Sequence, residues 1–148
     1  MDGLPDPDHD PQFYDGVPLR RFIAWIIDIV IVGVLTTLAL FVLALPSLGL
    51  IFFISLGVWA VIDFLYRVMT LSGGSATLGM RMMGIEIRTV TGDRLTSGLA
   101  VLHTALYLVC YAAGGLLQIA SVVLMVAARP GRGIPDFILG TAAINRPV

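Results

Sequence analysis

The chain has 148 residues, 57% of them apolar and 13% charged, with a mean hydropathy of +0.94 and a net charge of −1. Soluble domains average about 45–50% apolar and about 25% charged residues, so an ordinary water-soluble domain is excluded and a single membrane-embedded one is implied. All nine basic residues are arginine, and Cys110 is the only cysteine, which removes an intrachain disulfide and a cysteine-based metal site.

Met1 to Pro18 is rich in Asp, Pro and Gly; Asp2, Asp6, Asp8, Asp10 and Asp15 have no basic residue among them. With no hydrophobic periodicity, this stretch is expected to be a disordered acidic tail. It is not expected to be a signal peptide, since its start is acidic and the apolar run that follows is too long. Phe22 to Leu45 supplies 24 residues, more than the roughly 20 a helix needs to cross a bilayer. Pro46-Ser47 breaks the pattern, and Leu48 to Tyr66 supplies a second span, so the two form an antiparallel hairpin. The 45 residues from Phe22 to Tyr66 carry two charges, Asp28 and Asp63. A charge at membrane depth costs roughly 2.5–3.5 kcal/mol on insertion scales, so such a residue is paired, turned inward, or part of a working site.

From Arg67 to Gly98 the character changes. Ser72-Gly73-Gly74-Ser75 reads as a turn, Ala76 to Met83 as a short amphipathic helix closed by Gly84, and Ile85 to Val90 alternates like a half-exposed strand. Thr91-Gly92-Asp93 would turn the chain into a returning arm, Arg94-Leu95-Thr96. Bare hairpin edges are not tolerated in lipid, so this segment is expected in water or at the interface. Leu99 to Ala128 is a third apolar stretch of 30 residues with Gly114-Gly115 at its middle. One helix of that length would measure about 45 Å, so the stretch is either one tilted helix or two that fold back at the glycines.

Arginines flank the inner ends of membrane helices. Arg20 and Arg21 precede the first span, Arg67, Arg81, Arg88 and Arg94 follow the second, and the short loop between has none. This places the amino terminus and the middle segment in the cytoplasm. Arg129, Arg132 and Arg146 join that side only if the third stretch turns back at Gly114-Gly115, the topology favoured here.

Four patterns in chain order are similar to those of the RDD family of small bacterial membrane proteins. They are Arg20-Arg21-Phe22-Ile23-Ala24-Trp25-Ile26-Ile27-Asp28, the run from Ser72 through Ala76-Thr77-Leu78-Gly79-Met80-Arg81 to Ile85, Thr91-Gly92-Asp93-Arg94-Leu95-Thr96, and Asp136-Phe137-Ile138-Leu139-Gly140-Thr141. The chain departs from the family where Pro135 stands in place of a histidine before the last aspartate, and where His103 stands near a position that tends to hold arginine. The resemblance implies a membrane location and a trio of Arg21, Asp28 and Asp136, with transport of an unidentified ligand suggested.

Arg21 and Asp28 share a helix face, but a rise of about 10 Å makes a direct salt bridge between them improbable without bending. Arg20 and Arg21 suit headgroup anchoring. Asp28 is either a packing carboxylate bonded to a neighbouring helix or one poised to exchange a proton or bind a cation. Its donor is expected from outside the first helix, among Tyr66, Arg67, Arg81 and His103. Asp63 is placed for an i,i+4 pair with Arg67 and falls at a depth like that of Asp28. Asp136 is a helix N-cap or a partner for Arg21 or Arg81, and Thr141 to Ile144 is expected to dock beside Ile85–Val90. His103 and Cys110 make an incomplete metal site. The scattered arginines lack the aromatic partners of a nucleic-acid surface and suit anionic lipid headgroups. No cofactor motif or catalytic constellation appears.

The expected fold is an all-α integral membrane protein with a small cytoplasmic amphipathic helix and β-hairpin, residues 19–148 forming one domain with spans at about 22–45, 48–66 and 99–128. It is expected in the bacterial inner membrane, multi-pass, not an enzyme, assembled with itself or with a partner membrane protein. Its role is ion- or proton-coupled transport, or alternatively that of an accessory subunit whose charges only hold the helices together.

Overall fold

In the computed structural model, residues 3–127 and 130–146 are described; Asp2 of the acidic segment and Arg129 of the arginine pattern lie outside them. Helix α1 runs from Val17 to Ala44, five residues earlier than the apolar run begins, because Gly16 in the left-handed region (φ 67°) and Pro18 start it. Its 28 residues make about 42 Å of helix. Ala24, Asp28, Val32 and Thr36, four residues apart, form its single buried stripe, while large apolar side chains around the rest stay exposed. The chain reverses after α1 through Leu48 and Gly49, both left-handed, and a 3-10 turn at Leu50–Ile54.

Helix α2, Ser55–Gly74, passes eight residues beyond the expected end at Tyr66. Ser72-Gly73-Gly74 is therefore its last turn rather than a loop. The guanidinium of Arg81 closes over this end, donating to the carbonyls of Thr70 (3.2 Å) in the last turns and Ala76 (3.2 Å) just beyond the helix. Ser75 ends the helix in the left-handed region, its N–H on Leu71 O at 2.7 Å. The short α3, Leu78–Met82, follows as expected, N-capped by Thr77.

Strand β1, Ile85–Thr89, pairs antiparallel with β2, Thr141–Asn145, in the register Ile87↔Ala143. This is the docking anticipated for the closing segment. The expected hairpin is corrected. The turn forms, with Gly92 N–H on Thr89 O at 2.8 Å, but the returning arm makes only one bridge, Arg88↔Arg94. Other elements take up the arm: Leu95 N–H binds Ser75 Oγ at 2.7 Å, and Thr96 caps helix α4, Ser97–Ala112. After Gly114 and Gly115, both left-handed, α5 (Leu116–Ala127) leaves at 119° to α4. The break in the third apolar stretch thus falls at the two glycines. Helix α6, Ile134–Leu139, leads into β2.

The acidic segment is not a disordered tail where the structure describes it. Gly3 N–H binds Val90 O at 3.1 Å, Tyr14 hydroxyl binds Pro5 O at 2.8 Å, and Asn145 donates to the carbonyls of Gln12 and Asp15. Leu4 is buried against Ala142 and Ile144, with Phe13 and Tyr14 beside it. A two-stranded sheet is marginal alone, and these residues cover one face of it. The other face meets the main core through Ile85, Ile87 and Ala143, packed with Val17, Ala24, Met80 and Ala100.

Among the described residues, two helices are long and apolar enough to cross a membrane, or up to three if the bent pair α4–α5 counts as one span.

Candidate functional site

Three buried carboxylates, each on a different helix, serve one cavity of about 200 Å³: Asp28 lines it, and Asp63 and Asp136 hold the wall residues Arg67, Arg21 and His103. Asp28, 1% exposed on α1, accepts hydrogen bonds from Tyr66 hydroxyl (2.6 Å), Thr77 hydroxyl (2.6 Å) and Gly79 N–H (2.9 Å). Its donors come from α2 and from the start of α3, so this carboxylate pins three helices together. The approach is close enough to require glycine: a Cβ on Gly79 would lie 2.2 Å from Ala24 O. Of the four donors expected for Asp28, Tyr66 is the one that reaches it; Arg67, Arg81 and His103 are held elsewhere. Thr77 and the Gly79 amide were missed as donors, although both lie in the motif that carries the resemblance.

Asp63 and Arg67 form the expected i,i+4 pair, with Arg67 Nε at 3.0 and 3.1 Å from the two carboxylate oxygens. Because α2 continues to Gly74, the pair is buried inside the helix bundle rather than at a helix end. Arg67 lies over the Tyr107 ring, 4.1 Å from its centroid, and donates to the Tyr107 hydroxyl at 3.3 Å. Trp25 Nε1 donates to the same oxygen at 2.9 Å, tying α1, α2 and α4.

Asp136 is fully buried near the start of α6. It is the third residue of the helix and not its N-cap; its Oδ2 accepts the N–H of the cap residue Gly133 at 3.1 Å. Arg21 Nη1 donates to the same oxygen at 2.6 Å and to Gly131 O at 3.3 Å. On Oδ1 it receives Thr141 hydroxyl at 2.9 Å and His103 Nε2 at 3.0 Å, the ring proton assigned to Nε2 because a carboxylate only accepts. Burial opposes ionisation, but the charge of Arg21 and the His103 hydrogen bond outweigh it and hold the Asp136 carboxyl well below the usual carboxylate range. His103 therefore serves Asp136 rather than Asp28, and Arg21 rather than Arg81 is the arginine partner of Asp136.

Arg20 and Arg81 stay outside this centre. Arg20 is exposed and donates to Met83 O at 3.3 Å, and Arg81 closes over the end of α2. Cys110 is a buried free thiol in an apolar setting, as its neighbours imply. Among the described residues, no three His, Cys, Asp or Glu side chains gather to hold a metal ion. The cavity brings Arg21, Asp28, Arg67 and His103 to one wall set, joined by Trp25 and Tyr107, with Phe22, Leu71, Met80 and Val122 making it mostly apolar. Trp25 and Tyr107 carried no readable sequence signal; His103 and Tyr107, four apart, share a helix face and could have drawn attention together.

Long apolar helices around a buried, paired set of charges define a membrane-type helical protein. The RDD family matches residues 16–140, so the chain belongs to the RDD family. No curated protein and no solved structure matches it.

Proposed function

We propose that this RDD family protein moves an ion or small solute across the bacterial inner membrane in exchange for, or together with, a proton. The observation that carries this reading is the cavity that Arg21, Asp28, Arg67 and His103 share. Intramembrane ionisable groups facing an internal cavity are characteristic of ion and proton pathways. Asp28 and Asp63 carry the coupling, and the Arg21–Asp136 pair is the cytoplasmic gate. No covalent chemistry is assigned, and the protein works as an oligomer, because so few helices enclose little space alone.

The orientation we propose draws support from the pairing of β1 with β2 and from Arg20, Arg21, Arg81, Arg88, Arg94 and Arg146, all on segments around that sheet. Both ends of the chain then face the cytoplasm, with α4–α5 a re-entrant pair and anionic headgroups around the exposed arginines. A reporter fused after Arg146 is expected to be active only in the cytoplasm; periplasmic activity would refute the turn-back.

A second reading draws support from the saturation of the carboxylates: Asp28 receives three donors, Asp63 two contacts from Arg67 and Asp136 four donors. In that reading the charges only lock the helices, and the protein serves as an accessory subunit. Proteoliposomes loaded with a pH-sensitive dye separate the two. Under an imposed Na⁺, K⁺ or proton gradient, wild type is expected to show coupled proton movement that Asp28→Asn abolishes while its melting temperature stays within reach of wild type. No movement in wild type under any gradient leaves the accessory reading standing.

A further inference from the structure

The hydrogen-bond inventory of the cavity is lopsided toward donors. Arg21 uses Nη1 on Asp136 and Gly131, and its Nε/Nη2 edge meets no acceptor among the described residues. Arg67 leaves Nη1 without an acceptor among the described residues. The Tyr107 oxygen accepts from Trp25 and Arg67, and the Ser121 oxygen accepts Ile134 N–H at 2.9 Å, so each hydroxyl still has its own proton to give. The side-chain amide of Gln118 lines the same space without a partner among the described residues. A cation would find little: Asp28, the one carboxylate on the wall, already receives three donors. Beyond the single amide oxygen of Gln118, what the cavity lacks is an acceptor.

Shape and charge narrow the class. At about 200 Å³ the cavity is below the roughly 300–1,000 Å³ of sites for drug-sized ligands. Apart from its polar groups it is walled by Phe22, Leu71, Met80, Ile87, Val122 and Met125. The free Nε/Nη2 edge of an arginine is the planar fork that fits a carboxylate. The ionisable groups on the wall are Arg21 and Asp28 from α1, Arg67 from α2, and His103 and Tyr107 from α4, with Asp63 of α2 and Asp136 of α6 directly behind them as the partners of Arg67, Arg21 and His103; α3, β1 and α5 contribute no titrating wall residue. Carboxylates outnumber guanidiniums by one, so a bare anion would enter against charge. An anion that brings a proton is neutral in sum. His103 can take that proton, because Nε2 faces Asp136 and Nδ1 meets no partner among the described residues.

We propose that the cavity binds a small monocarboxylate with an apolar body, held edge-on by Arg21 and accompanied by one proton on Nδ1 of His103. This deepens the transport reading and rests on it for its purpose, but it is tested by equilibrium binding rather than flux. Trp25 lines the cavity whereas Trp59 packs on Tyr111 outside it, so full-length Trp59→Phe protein in nanodiscs reports on the site through Trp25 fluorescence.

Benzoate is the probe, with benzamide, inorganic phosphate and Na⁺ as comparisons. The expected result is saturable quenching by benzoate alone, tighter at pH 6 than at pH 8. Calorimetry in buffers of different ionisation enthalpy should then show close to one proton taken up per benzoate at pH 8. Arg21→Lys, which keeps the charge and loses the fork, is expected to weaken binding about tenfold or more. Val122→Trp fills the cavity from a partly exposed position and is expected to abolish binding, which keeps the test decisive if Arg21→Lys fails to fold. His103→Gln retains a donor to Asp136 and is expected to remove the proton uptake. Benzamide or phosphate binding as well as benzoate, binding unchanged by Val122→Trp, or no benzoate binding to wild type would each overturn the proposal. Binding without any flux would overturn the transport reading alone, and flux without benzoate binding would overturn this one alone.

Discussion

Gly79→Ala tests the close approach of α3 to α1. The added Cβ would sit 2.2 Å from Ala24 O and 2.8 Å from Asp28 Oδ1, where ordinary contact begins near 3.4 Å. The nearer obstacle is α1 backbone and cannot swing aside, so α3 must retreat by roughly 1 Å. That retreat carries the Gly79 N–H bond to Asp28, 2.9 Å long, out of hydrogen-bond range. Overpacking costs about 1–3 kcal/mol and a hydrogen bond to a charged group contributes about 1.5–3 kcal/mol, while the better helix propensity of alanine returns about 0.5–1 kcal/mol. A net loss of about 3 kcal/mol corresponds to roughly 6–12 °C in melting temperature for a chain of this size. The single buried cysteine, Cys110, provides the assay, since a thiol-reactive dye reports unfolding from that one position. Gly57→Ala, on α2 with nothing within 4 Å of its would-be Cβ, is the matched control and is expected to melt at or slightly above wild type. If Gly79→Ala melts with Gly57→Ala, α3 does not rest on α1 through this glycine, and the account of the Asp28 site fails.

Three further outcomes are expected. Asp28→Leu leaves the hydroxyls of Tyr66 and Thr77 and the amide of Gly79 without an acceptor, about 1–3 kcal/mol for each buried group, so Cys110 should label at room temperature, whereas Asp28→Asn keeps one acceptor oxygen and should label more slowly. Because the folded state holds Asp136 ionised below the carboxylate range, its contribution is complete above about pH 4 and is lost as pH falls further; the melting-temperature gap between wild type and Asp136→Asn should be constant from pH 8 to about 5 and shrink below about 4. A gap that closes between pH 7 and 5 would show that Asp136 is not held this way. Leu4→Asp should release the amino-terminal segment from Ala142 and Ile144, at a cost of about 2–5 kcal/mol to that contact, and make residues 3–16 cleavable by protease while the helices stay protected; equal resistance in both proteins would contradict the docking.

The helices were legible because their apolar runs are long and their interruptions, Pro46 and Gly114-Gly115, are backbone chemistry readable without neighbours. Ends were not. Helix α2 runs on to Gly74, where Ser75 in the left-handed region ends it and Arg81, a residue of the next element, reaches back to Thr70 O. The charged residues of the site announced themselves by their cost, and the Asp63–Arg67 pair by its spacing. Partners across the chain did not: Arg21 meets Asp136 across 115 residues, and Thr77 reaches Asp28 across 49. The amino-terminal segment lacked periodicity because it docks through single anchors, Leu4 and Tyr14, rather than a repeating face.

The sheet joins segments far apart in the chain, Ile85–Thr89 with Thr141–Asn145, and the Leu4 segment lies across one face of it. Until residues 141–145 leave the ribosome, β1 has no partner strand, the Leu4 segment has no floor to lie on, and Arg21 waits at the mouth of α1 for its counter-charge. Synthesis therefore passes through a long interval in which the hydrophobic helices exist but the cap over them does not, and an unpaired strand edge is exposed beside them. A chain that stops short of β2 loses more than one strand: β1, the amino-terminal cover and the Arg21 pair all lose their support together.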